Sequence, residues 1–382
     1  MRDSIAISMI GISGSGKTMT LSGVYEAFMS SCVAGSNGAV ISATGSRYDA
    51  TFRGDEPGGE MVGILAPVAF ERYRQKVLMS VQDKNGKLSS AAAGTVEMSE
   101  FVFDWDVTSP SGIELSQPIK WTDYRGGILS LDGRKITDSD IADCKAFMGN
   151  LQESEVILIL IDGIKLAQNR DNASLRKEKT GADRINALMN AVMKNPNKGV
   201  TVSILVTKVD SDKIPADLKS NNYQGLCKLA CDTIDCVSIK SQNMTRNYNW
   251  NFSVIPVSAI GENNSVTNYI PEIDEYYCAI KHGADVHQKN IDAALIYCIK
   301  NAMTERCNTL NDQITECDAK INSELSKMGI FNTRQHKESI SHWTKEKNMH
   351  EKLRKKYISM LTSINEGYSN QFAVVRRFGV AK

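Results

Sequence analysis

Six apolar runs punctuate the chain, at residues 4–10, 101–107, 119–122, 156–161, 200–207 and 252–257. Several are continuous rather than alternating, as in SIAISMI and VILILI. A strand covered by helices on both faces has no solvent side to mark with polar residues, so continuity points to the centre of a parallel sheet. The segments between the runs are polar and helix-compatible. The pattern predicts an α/β fold: a doubly wound, mostly parallel, six-stranded sheet. The runs at 101–107 and 119–122 are joined by TSPSGIELSQP, where crowded Pro, Ser and Gly predict an antiparallel hairpin and hence one antiparallel strand.

After Pro271 there is no further proline, and long polar segments suited to helix take over. Met303, Cys307, Leu310, Ile314, Cys317 and Ile321 recur at alternating spacings of four and three, the heptad seam of a packed helix. GIFNT at 329–333 interrupts it, and a second helical segment over about 337–366 carries Ile340, Trp343, Leu353, Tyr357, Met360, Leu361 and Ile364. The expectation is an antiparallel α-helical hairpin, about 60 Å long at 1.5 Å rise per residue. The predicted organisation is a main domain over 1–303, with an insert at about 35–94, and a C-terminal hairpin or coiled-coil extension with a basic tail over 304–382. The insert is too long for a structureless connection and reads as a lid or small accessory element.

Composition narrows the class only slightly. The 382 residues are 42% hydrophobic and 23% charged with a net charge of +1, values of an ordinary globular protein that argue against a chain-wide nucleic-acid surface. Nine cysteines without paired spacing, and no apolar leader in MRDSIAIS, point to a reducing cytoplasm. No run approaches the roughly 20 residues of a membrane helix.

GISGSGKT, directly after the first run, fits G-x-x-x-x-G-K-[ST], in which successive backbone amides form an anion nest at a helix N-terminus and the lysine adds a point charge. Gly11, Ser13, Gly14, Ser15 and Gly16, with Lys17, Thr18 and Met19 of the following turn, are the candidate phosphate ligands. Three more signals choose the base. TKVD ends the fifth run, where Asp210 can accept the N1 and exocyclic amino protons of guanine; adenine offers no such pair. Thr207 opens that motif, and the Lys208 stem can lie along the base and tie back to the phosphate loop. SAI follows the sixth run, so a backbone amide among Ser258, Ala259 and Ile260 can meet the guanine carbonyl. DYRG follows the third run, placing the Asp123 carboxylate near a magnesium shell shared with Thr18, and the Gly126 amide near a γ-phosphate.

With these four motifs in order, each at the C-terminal end of an apolar strand, the chain resembles the Ras-like superfamily of P-loop GTPases over about residues 1–303. It is also similar to bacterial double-GTPases, which carry a long insert before the first switch and a helical C-terminal extension. The resemblance implies a Ras-like sheet, GTP/GDP and Mg2+ as cofactors, and Mg-dependent GTP hydrolysis by a nucleotide-state switch acting on a protein partner. It also implies a switch threonine that meets magnesium and γ-phosphate; Thr95 in AAAGTVEMSEFVF is the choice and Thr51 the alternative. Gly127 stands where many relatives carry a water-orienting glutamine, which implies slow intrinsic hydrolysis. Lys17, Thr95 and Arg125 are the candidate catalytic residues, with Arg47 and Arg53 as alternative guanidinium donors or plain surface arginines.

Two other readings compete. One is a P-loop ATPase or kinase with Asp162, after VILILI, as the acidic magnesium residue; it leaves TKVD unexplained. The other is a catalytically weak nucleotide-binding scaffold whose hairpin is the interaction module. RGD at 53–55 reads as a chance tripeptide, and Cys227, Cys231 and Cys236, or Cys278 with His282 and His287, read as core or surface residues rather than a metal site. Residues 334–382 hold 11 Lys/Arg against 4 Asp/Glu. That balance is compatible with an anionic membrane surface or nucleic acid, but a partly paired solvated face is favoured. The expected partner is a protein effector or regulator met by the insert and hairpin, with homodimerisation left open.

Overall fold

The computed structural model describes residues 4–29, 32–50, 99–112, 114–124, 138–193, 199–235, 250–270, 275–327 and 333–378. Their strands are β1 (Ile5–Ile10), β2 (Val33–Ala34), β3 (Val40–Ala50), β4 (Ser99–Thr108), β5 (Glu114–Asp123), β6 (Val156–Asp162), β7 (Thr201–Thr207), β8 (Asn251–Pro256), β9 (Ser265–Ile270), β10 (Glu275–Ile280) and β11 (Arg376–Phe378). Nine of them form one sheet in the order β11-β8-β7-β6-β1-β5-β4-β3-β2, and β9 and β10 make a separate antiparallel ribbon. All six expected strands are present. Five of them, β5, β1, β6, β7 and β8, form the parallel centre, and β4 is antiparallel to β5.

The expected count of six is corrected, because β3, β2 and β11 extend the edges with antiparallel pairings, while the parallel centre stands as expected. The reason is visible in burial. In β1, β6 and β7 every residue is buried, giving continuous runs. In β3, Ile41 and Ala43 face inward while Ser42 and Thr44 do not, so its signal is alternation in a segment short of apolar residues. β11 is three residues long, too few for any period to show. The turn between β4 and β5 is also tighter than expected: the Gly112 amide donates to the Ser109 carbonyl at 2.9 Å, and ELSQP belongs to β5.

The helices are α1 (Lys17–Val24), continued by a π-helical turn at Tyr25–Met29, then α2 (Asp138–Glu153), α3 (Gly163–Gln168), α4 (Ala173–Thr180), α5 (Ala182–Met193), α6 (Ala216–Thr233), α7 (Ile291–Lys327) and α8 (Thr333–Tyr368). They cover both sheet faces. Under α1, α7 and α8 lie Phe101, Phe103, Trp105 and Trp121 with Ile5, Ile7 and Met9. Under α2, α3, α5 and α6 lie Ile157, Ile159, Ile161, Val202, Ile204 and Val206.

The helical hairpin grows out of the first of these cores. α7 passes residue 303 without a break, and its residues from Ile291 to Leu310 supply much of the core. Of the expected seam, Met303, Cys307, Leu310 and Cys317 are buried, while Ile314 and Ile321 are half-buried. α8 returns to the core with Tyr357, Met360, Ile364 and Tyr368. Between those anchors the two helices form a projecting arm, tied by Lys347 to Asp318 at 2.7 Å and by His336 to Glu324 at 2.8 Å, with the Lys320 ammonium 4.0 Å from the Trp343 ring centroid.

At its base the hairpin is locked by Arg306. This 3%-exposed guanidinium donates to both Glu155 oxygens at 2.7 and 2.6 Å, to the Ser4 carbonyl at 2.6 Å and to the Tyr357 hydroxyl at 2.9 Å. The chain beyond α8 docks back. The Ser36 amide donates to the Gly367 carbonyl and the Tyr368 hydroxyl to the Val33 carbonyl, each at 2.7 Å. A short 3-10 turn, Ser369–Val374, then leads to β11 on the outer edge of β8. In a flat sheet, the seven interstrand steps from β2 to β8 would span about 34 Å. So short a connection crosses from one edge to the other because the sheet curls around α7.

Candidate nucleotide-binding site

β1 pairs with β5 on one side and β6 on the other, so the chain order reverses there, and the crevice beyond the C-terminal ends of these strands is where open α/β sheets bind ligands. The register sets the motifs level with one another: Met9 pairs with Asp123, and Asp162 with Thr207. The loop after β1 turns through two left-handed glycines, Gly14 (φ 74°) and Gly16 (φ 93°), before α1 begins at Lys17. A Cβ at Gly16 would also press on the Thr207 side chain at 3.3 Å. Ser13 and Gly14 are exposed at the crest of the loop, and Ser15 is buried with its hydroxyl unpartnered among the described residues. Alternating left-handed and right-handed residues at a helix start aim amides at a common point, the arrangement an anion fills. Lys17 is buried and folds back to donate from Nζ to the Gly11 and Ile12 carbonyls at 2.8 and 3.0 Å. Thr18 and Met19 follow in the same turn.

The Asp123 carboxylate ends β5 fully buried, and among the described residues neither oxygen has a partner in hydrogen-bond geometry. Burial pushes its carboxyl up to about 7, against the pull of the Lys17 ammonium and the Tyr124 amide. Burial in turn lowers the Lys17 pKa, and the Asp123 charge opposes that. A buried carboxylate with both oxygens unpartnered among the described residues offers the oxygen donors that a hard divalent cation such as Mg2+ takes.

Across the crevice, the Thr207 hydroxyl donates to the Ser15 carbonyl at 2.8 Å and the Ile161 carbonyl at 3.2 Å, fastening β7 to the phosphate loop. The expectation that Lys208 makes this tie is corrected. Lys208 adopts left-handed backbone (φ 56°), and its Nζ donates to Asp162 Oδ2 at 2.6 Å and to the Tyr276 carbonyl at 3.0 Å. Asp162 is corrected too, as a magnesium residue. Its Oδ1 accepts the Ile164 and Lys165 amides at 2.8 and 3.2 Å to cap α3, and its Oδ2 holds Lys208, so both oxygens are engaged. Asp210 is half-buried, with Oδ2 shielded and unpartnered among the described residues.

The third side is the turn after β8. Ser258 Oγ accepts the amides of Ile260 and Gly261 at 3.2 and 2.9 Å, and the Ser258 backbone pairs with Lys289. Ile260 is buried in a small cluster that Met19 packs against, which joins the phosphate-loop helix to this turn, with Ala259 between. The structure thus places Gly11, Ser13, Gly14, Ser15, Gly16, Lys17, Thr18, Met19, Asp123, Thr207, Lys208, Asp210, Ser258, Ala259 and Ile260 at or just beyond the C-terminal ends of β1, β5, β7 and β8. Thr95, Thr51, Arg53, Arg125, Gly126, Gly127 and RGD lie outside the described residues, as does the Arg47 side chain, whose backbone sits in β3.

No family model and no curated protein matches the sequence. Among solved structures, the chain is similar to one in the signal recognition particle receptor SRb-GTP/SRX complex from Chaetomium thermophilum. The TM-score is 0.36 and the identity 14%, over 69% of this chain and 94% of that one.

Several residues of the crevice carry no motif. Ser211, directly after TKVD, exchanges a hydrogen bond with Thr267 of β9 at 2.7 Å. The Tyr223 hydroxyl donates to Glu262 Oε1 at 2.9 Å, and Lys289 pairs with the same carboxylate. The ribbon was legible in principle: SVTNYIPEIDEYYCAI is rich in β-branched and aromatic residues around a Pro, a hairpin signal.

Proposed function

We propose that this chain binds guanine nucleotides with Mg2+ and hydrolyses GTP, switching its contacts with a protein partner. The observation that carries the reading is Asp210: a shielded carboxylate oxygen, unpartnered among the described residues and three positions beyond Thr207, whose hydroxyl is fastened to the phosphate loop; such an oxygen suits a base that offers two adjacent donors. In this reading the loop amides and Lys17 hold the phosphates, and Thr18 and Asp123 hold the magnesium, which supplies charge neutralisation at the phosphates. The Ala259 amide meets the base oxygen, because Ser258 Oγ already takes the amides of Ile260 and Gly261. Thr95 and Arg125 are assigned to the γ-phosphate from the sequence. The projecting α7–α8 arm and the 35–94 insert are the surfaces offered to the partner.

The test is displacement of a fluorescent GTP analogue in the presence of Mg2+. Unlabelled GTP and GDP are expected to displace it and ATP is not; equal displacement by ATP overturns the base assignment. Single-turnover phosphate release from bound GTP then measures hydrolysis, which Lys17→Ala is expected to abolish together with triphosphate binding.

A further inference from the structure

The ribbon of β9 and β10 is inserted between the base-contacting turn after β8 and the start of α7, and one of its faces is laid on the TKVD loop. Directly paired residues of an antiparallel ribbon share a face, and here the pairs are Ser265 with Ile280, Thr267 with Cys278, and Tyr269 with Tyr276. That face makes two separate attachments to the loop. Thr267 Oγ1 and Ser211 Oγ lie 2.7 Å apart, with Thr267 6% and Ser211 0% exposed. The Tyr276 carbonyl accepts from Lys208 Nζ at 3.0 Å, opposite the grip of Asp162 on the same ammonium. Lys208 holds a left-handed backbone, which a non-glycine residue keeps only when its surroundings impose it, and the ribbon carbonyl and Asp162 hold the far end of its side chain. Asp210 lies two residues beyond Lys208 and one before Ser211, so it is bracketed by the two attachments. Its charge, with those of Lys208 and Asp162, acts on the half-buried Cys278 thiol of the ribbon, which places that side chain within electrostatic reach of the base-recognition carboxylate.

From this juxtaposition we infer that the ribbon is a retaining wall of the base site, with Thr267 as its positioning residue, and that it sets how fast a guanine nucleotide leaves. The inference rests on the guanine-nucleotide reading above and deepens it. A bound base held coplanar with Asp210 leaves when the TKVD loop relaxes. The ribbon opposes that relaxation through a hydroxyl pair withdrawn from water and through a carbonyl on Lys208. Ser211 Oγ also accepts the Lys213 amide at 3.1 Å, so loss of the Thr267 hydroxyl leaves Ser211 with one partner and the loop folded but looser. A net hydrogen bond of this kind is worth roughly a factor of 5 to 10 in an equilibrium.

The test uses the full chain loaded with a fluorescent GDP analogue and Mg2+ and chased with excess GDP, for the natural protein, Thr267→Val, Thr267→Ser and Ser211→Ala, each checked for folding by thermal melting. Release from Thr267→Val is expected about 5- to 10-fold faster. Thr267→Ser, which keeps the hydroxyl, is expected to restore the slow rate. The Ser211→Ala, Thr267→Val pair is expected to be no faster than the faster single variant, since both remove the same bond. Unchanged release from Thr267→Val, or equal acceleration by Val and Ser, overturns the inference, and if Thr267→Val does not melt cooperatively the Ser211→Ala rate decides alone in the same sense. A natural protein that fails to load with the guanine analogue at all overturns the nucleotide reading, and the inference with it.

Discussion

Asp123 is the residue at which burial and charge conflict most sharply. An unfolded aspartate has a pKa near 3.8, whereas burial raises this one to about 7, so between those values the folded chain keeps a proton that the unfolded chain has lost. The stabilisation from its protonated form is fully present below about pH 4 and is lost as pH rises through 7. Urea titrations of the nucleotide-free protein should therefore show a midpoint falling between pH 4 and 7 relative to Asp123→Asn, by no more than a few kcal/mol. A parallel pH dependence in the two proteins would mean that the carboxylate is not desolvated. Asp210 makes a different prediction. Asp210→Asn replaces an acceptor with a donor on one side, and should weaken GTP about 10- to 100-fold while improving binding of xanthosine triphosphate, read by the same displacement assay. At this scale the sequence was informative wherever chemistry dictates a motif: the loop glycines, Lys17, Asp123, Asp210 and Ser258 all stand at or just beyond the C-terminal ends of strands of one sheet. It was silent on what each side chain grips. That Lys208 takes Asp162 and a ribbon carbonyl depends on a contact between residues 46 positions apart in one case and 68 in the other.

Among elements, legibility followed burial. Strands buried on both faces announced themselves as apolar runs, and the two long helices showed through their seam. β3, β9 and β10 have solvent on one side or a short length, so their signals are alternation over a few residues, easily lost among loops. The long helices join the sheet through Arg306, whose carboxylate partner Glu155 precedes β6. Arg306→Ala leaves the half-buried Glu155 carboxylate without its guanidinium and should cost about 3 kcal/mol in urea denaturation. Arg306→Met with Glu155→Leu should recover most of that loss. A small effect of the single change would show that the hairpin base is held by its apolar residues, Tyr357, Met360 and Ile364, without help from the ion pair.

For the molecule as a whole, the decisive feature is that both edges of the sheet are closed by segments distant in sequence. The Tyr368 region holds β2 and β3, and β11 covers β8, the strand that runs into the Ser258 turn. A chain ended after Val374 should fold its centre, yet expose a β8 edge five to six residues long. Such an edge recruits other strands. Light scattering should then reveal concentration-dependent association that the full chain lacks, and under the proposed guanine-nucleotide reading nucleotide release should accelerate because β8 leads into the Ser258 turn.

That closing strand also carries a consequence for biogenesis. β11 follows β8 by roughly 120 residues, which a ribosome adds in about 6 to 24 s at 5–20 residues per second. Throughout that interval the nascent sheet has a bare flank next to the strand that leads into the Ser258 turn, and a chaperone contact or a premature cross-chain pairing there would be resolved only when residues 376–378 emerge and zip it shut.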